Sequence, residues 1–441
     1  MPPTGAAEPK SALEDVSSSF GVLERLPNLL NIGNLLSEIY QCDGSLKPSG
    51  NFIRSELYQE TASLMQFMTD LIDRKFISEM WPTLEHLTYL NNASTGIPPV
   101  TTVNAMKEYL DNSVEAIGDF EDTLNLIKSI RVNLARLLGG DYCQYAFVPS
   151  TSSGVNSFGH SILYPAGSNI VLCDLEFPAN YIPWQNISKL YGPELRVVKS
   201  TDGAASVDDF AGAINENTRV VAVSQVQFGS GFRTDLRALS KITHANCALL
   251  SVDVIQAAGC IETDLSRLHI DFAAAQAAKW LLGPVGAGFV YVASSIIEEV
   301  QPRFLGWWGV ERFNEYSYFD RKPLSDAQKF QVGSPAMIAY VGFSESLKTL
   351  LQISGQKREK AALAVAGYLR KRLSELDIPH YDFGEKNNSA IVSFKPPDVE
   401  KLNEQLMKEK IYCSVRNGRL RVSPHFYNTN EEVDRLVEHL R

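Results

Sequence analysis

The sequence predicts an α/β fold: a large domain built on a parallel or mostly parallel sheet, followed by a smaller α+β domain. Three observations carry this. Short β-rich apolar runs alternate with amphipathic helical stretches through the middle of the chain, the pattern of repeated βαβ units. The β-rich runs recur at roughly 20–30 residue spacing, as the strands of a parallel or mostly parallel sheet do. From about Pro335 the alternation gives way to two long helical stretches and then short strands.

In chain order, residues 1–80 form an N-terminal extension. The first 15 or so are polar and rich in Pro, Ala and Gly, and are expected to be disordered. From Phe20 to about Lys75 the apolar spacing is helical. The large domain is expected over 81–334, with its entry segment 81–100 joining the small domain. A long helix is predicted over Thr102–Leu138. Strands are predicted at Gln144–Val148, Asn169–Cys173, Arg219–Ser224, Ala248–Val252, Asp271–Ala275 and Gly288–Val292. Helices separate them at Ser153–Leu163, Asn180–Leu190 and Leu236–Thr243. The small domain, 335–441, takes helices Ala336–Leu351, Arg358–Leu376, Asp398–Lys408 and Glu431–Leu440. Its strands are Ala390–Phe394, Tyr412–Val415 and Arg419–Val422.

Composition bounds the function. The 441 residues carry a net charge of −10, which argues against a general nucleic-acid binder with a basic face. Six cysteines are scattered without a C-x-x-C pair, so neither a disulfide framework nor a zinc ribbon is expected, and no metal. The N-terminus lacks a signal-peptide pattern. The most apolar stretch, Phe272–Ala293, is interrupted by Lys279 and several glycines and does not read as a membrane span. A cytoplasmic protein with no membrane partner is expected.

Three local features carry chemistry. Lys279 follows the small residues Ala273-Ala-Ala-Gln-Ala-Ala278 and precedes Trp280-Leu-Leu-Gly283. Lysines are seldom buried unpaired, and desolvation lowers the pKa and makes the amine nucleophilic. Asp253 ends a strand, where ligands of open α/β sheets bind; read alone, it is a helix N-cap before it is a ligand. Ser150-Thr-Ser-Ser-Gly-Val-Asn156 opens a helix after a strand, where free N–H groups suit an anion; read alone, it is ordinary capping.

Taken in order, these segments resemble the class V aminotransferase family of fold-type I pyridoxal phosphate (PLP) enzymes, which implies a mostly parallel sheet of the seven-stranded type in the large domain. The resemblance runs from about Tyr89 to the C-terminus. Tyr89-Leu-Asn-Asn-Ala-Ser-Thr-Gly96 resembles the family's entry motif, which implies Asn91 and Asn92 beside the substrate. The serine-rich segment resembles its phosphate loop, implying Thr151, Ser152 and Ser153 as cofactor ligands. Ser251-Val-Asp-Val-Ile-Gln256 resembles D-x-x-Q, with Asp253 on the pyridine nitrogen and Gln256 on the ring oxygen. Lys279-Trp-Leu-Leu-Gly-Pro-Val-Gly286 resembles the segment around the Schiff-base lysine. Phe330-Gln-Val-Gly-Ser-Pro335 implies Ser334 at the neighbouring subunit's phosphate, hence a homodimer with a shared active site. Arg421 sits where the family keeps its substrate-carboxylate arginine, with Arg416 and Arg419 as the next candidates.

The departures bear on activity. Phe177 in Glu176-Phe-Pro-Ala-Asn180 stands where desulfurases of the family keep a proton-moving histidine; it can stack on the cofactor ring but moves no proton. Val415-Arg-Asn-Gly-Arg-Leu-Arg421 runs directly between strands, without a loop bearing a catalytic cysteine, and Cys413 reads as a packing residue. The resemblance is closest to the isopenicillin N epimerase-like group, which also holds cyclases of fungal alkaloid pathways such as the loline pathway. The expected activity is formation of a Cα carbanion (quinonoid) from an amino acid, followed by epimerisation or carbon–carbon bond formation in secondary metabolism. The alternatives are a carbon–sulfur lyase acting on a cysteine conjugate and a decayed, non-enzymatic binding protein. The adjacent Trp307 and Trp308 could wall a pocket or a subunit interface, and His425 could donate a proton or cap a helix.

Overall fold

A computed structural model describes residues 72–115 and 119–440. The expected N-terminal disorder and most of the expected N-terminal helices lie outside the described residues.

The described chain opens with the helix Arg74–Met80, followed by β1 (Thr88–Tyr89). The long helix expected over 102–138 is two helices, Val100–Val114 and Phe120–Leu138. The second starts afresh because Asp119 caps it, its carboxylate accepting from Glu121 N–H. The main sheet then takes β2 (Tyr145–Val148), β3 (Asn169–Cys173), β4 (Glu194–Val198), β5 (Thr218–Ser224), β6 (Leu249–Asp253), β7 (Phe272–Gln276) and β8 (Gly288–Val292). Their order is β2-β8-β7-β6-β5-β3-β4. Only β8 runs antiparallel to its neighbours. The mostly parallel seven-stranded sheet is therefore present.

Two apolar cores lie on the two faces, and strand periodicity divides the residues between them. In β2, Tyr145 and Phe147 join one core while Ala146 and Val148 join the other. Helix Phe120–Leu138 covers the first face with Ile127, Ile130, Leu134 and Leu138. Helices Thr151–Gly159 and Pro178–Tyr191 cover the second with Phe158, Trp184 and Ile187. Phe158 stacks flat on Phe272 of β7 at 4.1 Å between ring centroids.

The C-terminal part holds β9 (Val392–Phe394), β10 (Ile411–Tyr412), β11 (Ser414–Arg416) and β12 (Arg419–Val422). The single strand expected over 412–415 is split in two: β10 pairs parallel with β1, and β11 pairs antiparallel with β12. Asn417 and Gly418, both at positive φ, close the β11–β12 hairpin in two residues, the asparagine–glycine turn that fits strand twist. Helices Gly355–Glu375, Val399–Lys408 and Asn430–Glu438 pack on this small sheet through Leu369, Leu406 and Leu436. The entry segment crosses between the two sheets: Leu90 packs in the small core, while Gly96 N–H donates to Ala278 C=O.

Gly96 is required by that crossing. A Cβ there would stand 2.1 Å from the backbone oxygen of Lys279 and 2.7 Å from Leu282 Cδ2. Gly96→Ala is expected to cost about 1–3 kcal/mol in denaturant unfolding, the usual penalty for overpacking. Gly167→Ala, where a Cβ meets nothing, carries only the strain of its φ of +80° and is the milder comparison.

Candidate functional site

The site forms beyond the carboxyl ends of β5, β6 and β7. Asp253 closes β6 and is buried; one carboxylate oxygen accepts from Ile255 N–H at 2.9 Å. Lys279 follows β7 in a turn wound tight by small residues. Ala277 N–H donates to Ala287 C=O, Leu282 N–H to Lys279 C=O and Gly283 N–H to Ala277 C=O. Leu282 takes positive φ, and a Cβ on Gly283 would meet Ala277 Cβ at 2.7 Å. Ala277, Ala278, Trp280, Leu281 and Leu282 are all buried, so the lysine stem leaves an apolar floor.

The Lys279 ammonium lies 5.4 Å from the centroid of the Phe177 ring, a cation–π distance. Phe177 also meets Phe228 edge-on at 5.0 Å. Burial pulls Lys279 down to about 8; the Asp253 charge opposes this, while Arg421 and Arg416 add to it. Burial likewise pushes Asp253 up to about 7, against the Ile255 N–H and the Lys279 charge. No ion pair within 4 Å joins Asp253 and Lys279 among the described residues, so they face one crevice without closing it.

The serine-rich loop opens helix Thr151–Gly159. Ser150 caps it, accepting from Ser153 N–H, and Ser150 and Ser153 share a hydroxyl contact at 3.0 Å. The Ser152 carbonyl accepts from Asn156. Gly154 lets the helix start settle on the sheet: a Cβ there would press Val290 and Ala274. Thr151 Oγ1 is buried without a partner, next to first-turn N–H groups that have no intrahelical acceptor. Ser153 and Ser334 line one cavity of about 340 Å³ with Pro149, Ser157 and Gly286.

The entry-segment asparagines part company. Asn91 Oδ1 is buried and unpartnered. Asn92 donates one amide hydrogen to Ser423 C=O and accepts from the Tyr427 hydroxyl. Gln256 spans the site floor, donating to Ala93 C=O and accepting from the Trp280 indole N–H. Arg421 is buried, and its guanidinium donates to Ser94 Oγ at 2.6 Å and Phe228 C=O at 2.9 Å. Arg419 lies apart, over the Tyr381 ring at 4.0 Å.

Glu176 is a site residue the sequence reading passed over. Its buried carboxylate accepts from Ser224 N–H and hydroxyl, Asn180 and Gln227, fixing the start of the Phe177 segment to the end of β5. An acid three residues beyond the strand Asn169–Cys173 was the available signal. Trp308 is buried and Trp307 partly exposed, edge to face with each other. Cys413 is buried against Leu406 and Val433 in the small core, and burial pushes its thiol up to about 12.

With this geometry in view, the comparisons are specific. The family model for aminotransferase class-V matches residues 88–436, so the chain belongs to that family. A probable cysteine desulfurase of Methanothermobacter thermautotrophicus is 28% identical, covering 81% of this chain and 95% of that protein. A solved mutant of C-DES with glycine covalently linked to its PLP cofactor aligns at TM-score 0.75 and 21% identity, covering 82% and 98%. The complex of the cystine C–S lyase C-DES with its product cysteine persulfide aligns at TM-score 0.74 and 22% identity, covering 82% and 98%. These solved structures share the fold.

The family's cofactor is PLP, and the residues present fit it. There is a threonine hydroxyl at a helix start, unpartnered among the described residues, for the phosphate, a buried carboxylate for the ring nitrogen, and a lysine of lowered pKa beside the Phe177 ring. Among the described residues no cluster of His, Cys, Asp or Glu could hold a metal.

His425 is not free to move protons. Its Nε2–H donates to Trp280 C=O at 3.0 Å and its Nδ1 accepts from Phe426 N–H at 2.8 Å, so the ring is neutral with both nitrogens engaged. Burial lowers its pKa from 6.5 to about 3. The unfolded chain takes up this proton below about pH 6.5 and the fold refuses it, so the contribution is complete above that pH and is lost as pH falls. We expect His425 to make unfolding more proton-dependent by up to ~1.4 kcal/mol per pH unit on the acid side. Ring carbon NMR shifts of His425 that stay constant from about pH 8 to 5 would bear this out; titration near 6.5 would contradict it.

Proposed function

We propose that the protein is a PLP-dependent enzyme that removes the Cα proton of an amino acid and directs the resulting carbanion to epimerisation or carbon–carbon bond formation, as in secondary metabolism. One observation carries the reading: Lys279 and Asp253 face one crevice with Phe177 and Arg421, while Cys413 lies in the small core. The assignment to secondary metabolism rests on the resemblance to the epimerase-like group.

PLP, when bound, supplies an electron sink that acidifies the Cα proton of an attached amino acid. The chain's own residues take the remaining roles. Thr151, Ser152 and Ser153 would offer hydroxyls, and Thr151 and Ser152 helix-start N–H groups, to the phosphate. The Asp253 carboxylate would hold a proton on the ring nitrogen. Gln256 has one amide hydrogen left that could serve the ring oxygen. Phe177 would stack on the ring and shield it from water. Lys279 Nζ, with its pKa lowered by burial, moves the proton at Cα. Arg421 offers its planar fork to the α-carboxylate, beside Asn91.

Sulfur transfer through an enzyme cysteine is disfavoured by the two-residue β11–β12 turn and by Cys413, which sits in the small core with its thiol held protonated. A second reading, a carbon–sulfur lyase acting on a cysteine conjugate, draws support from the likeness to the cystine C–S lyase; it needs the same proton step and no enzyme thiol. We also propose a homodimer with a shared site and a cytoplasmic location. Leu305, Trp307, Tyr316 and Phe319 expose apolar surface around one hollow, which a second copy would cover. Among the described residues no helix is long and apolar enough to cross a membrane.

Holoenzyme in D₂O is expected to exchange the Cα proton of its amino-acid substrate, read by NMR. Lys279→Ala should abolish exchange, and Cys413→Ala should leave it within about threefold. Pyruvate released from a cysteine conjugate without net exchange would favour the lyase. A Cys413→Ala loss of about 100-fold or more would restore a cysteine mechanism. Arg421→Ala is expected to lower kcat/KM by about 30-fold to several thousand-fold, because a desolvated carboxylate loses its partner. Equal affinity in parent and variant would place the α-carboxylate elsewhere.

A further inference from the structure

Arg416 has no part in the reading above, yet it stands at the same crevice. Its Nη2 donates to Ser94 Oγ at 3.3 Å, the oxygen that also accepts from Arg421 at 2.6 Å. One hydroxyl thus gathers two guanidinium groups. Their other partners are neutral: Val415 C=O for Arg416, and Phe228 C=O and Ser414 Oγ for Arg421. Neither arginine meets a carboxylate within 4 Å among the described residues.

Arg421 is buried and Arg416 half-buried, and two like charges gathered on one hydroxyl are costly without a counter-ion. Burial lowers the pKa of Arg421 and the Arg416 charge adds to it; burial likewise lowers that of Lys279, and both arginine charges add to that. Acidic groups at the crevice do not balance them. Asp253 faces Lys279, and Glu176 is saturated by neutral donors. The buried Arg358, by comparison, donates to three carbonyls, those of Gly259, Leu350 and Ile353. A guanidinium has five donors, and Arg416 leaves most of its own open.

We propose that the substrate is an amino acid with a second carboxylate on its side chain, held by Arg416 while Arg421 takes the α-carboxylate. The inference rests on the amino-acid reading of this site and narrows its substrate class. The hairpin supplies the geometry. Arg416 ends β11 and Arg421 lies in β12, so the short turn that leaves no room for a cysteine loop is what places the second cation beside the first.

The test is a spectral titration of holoenzyme with L-aspartate against L-asparagine and L-glutamate against L-glutamine. It uses the parent, Arg416→Gln, and Arg419→Gln as a charge-matched control. At least one acid should bind the parent about 10- to 100-fold more tightly than its amide, the range for a charge-assisted pair. Arg419→Gln should keep that preference. Arg416→Gln should erase it while leaving amide affinity within about threefold. If acids and amides bind the parent alike, the proposal fails and the amino-acid reading survives; this comparison stands even if the variant does not fold. If Arg416→Gln weakens acid and amide equally, both arginines clamp the α-carboxylate and the proposal is overturned. If no amino acid perturbs the spectrum, the proposal and the amino-acid reading fall together.

Discussion

The site depends on keeping one ammonium and one carboxylate out of water at the ends of neighbouring strands. Asp253 can stay buried because Ile255 N–H and the Lys279 charge support it. Lys279 can stay in its crevice because Asp253 opposes the desolvation and Phe177 offers a π face. The two charges stop short of contact, and a closed ion pair would have filled the crevice. Holding them apart requires the stiff turn at 277–283, pinned by Gly96 from the entry segment and by His425 on the Trp280 carbonyl.

That constraint links the two sheets. The entry segment pairs with β10 through β1, crosses Ser423 at Asn91, and reaches the lysine turn at Gly96. Ser94 on this crossing receives Arg421 from the small sheet, and Gln256 from the large sheet donates to Ala93. A change at the crossing therefore moves floor, lysine and arginine together.

Much of the fold was legible because strand burial and helix amphipathicity leave direct marks on composition. The seven-stranded sheet was visible in six of its strands. β4 was not, because Glu194–Val198 is an edge strand with mostly part-exposed residues and carries no unbroken apolar run. The helix Val207–Ala213 was missed for a related reason: it buries only Phe210 and relies on a Ser206–Asp209 capping box. The break before Phe120 depended on one capping aspartate, which periodicity does not report. In the site, Lys279 and Asp253 were legible because charges inside apolar runs stand out. The hydrogen-bond partners of Asn92 and Glu176 were not, since Ser423 and Tyr427, or Ser224 and Gln227, lie far from them in the chain.

The central claim is that the dry lysine beside Asp253 is the one that carries the cofactor, and borohydride reduction of the purified holoprotein followed by peptide mapping tests it most directly. The account predicts a yellow protein, loss of the visible band on reduction, and a pyridoxyl group fixed to the peptide containing Lys279. A label on any other lysine, or a colourless protein that takes up no PLP, would contradict it.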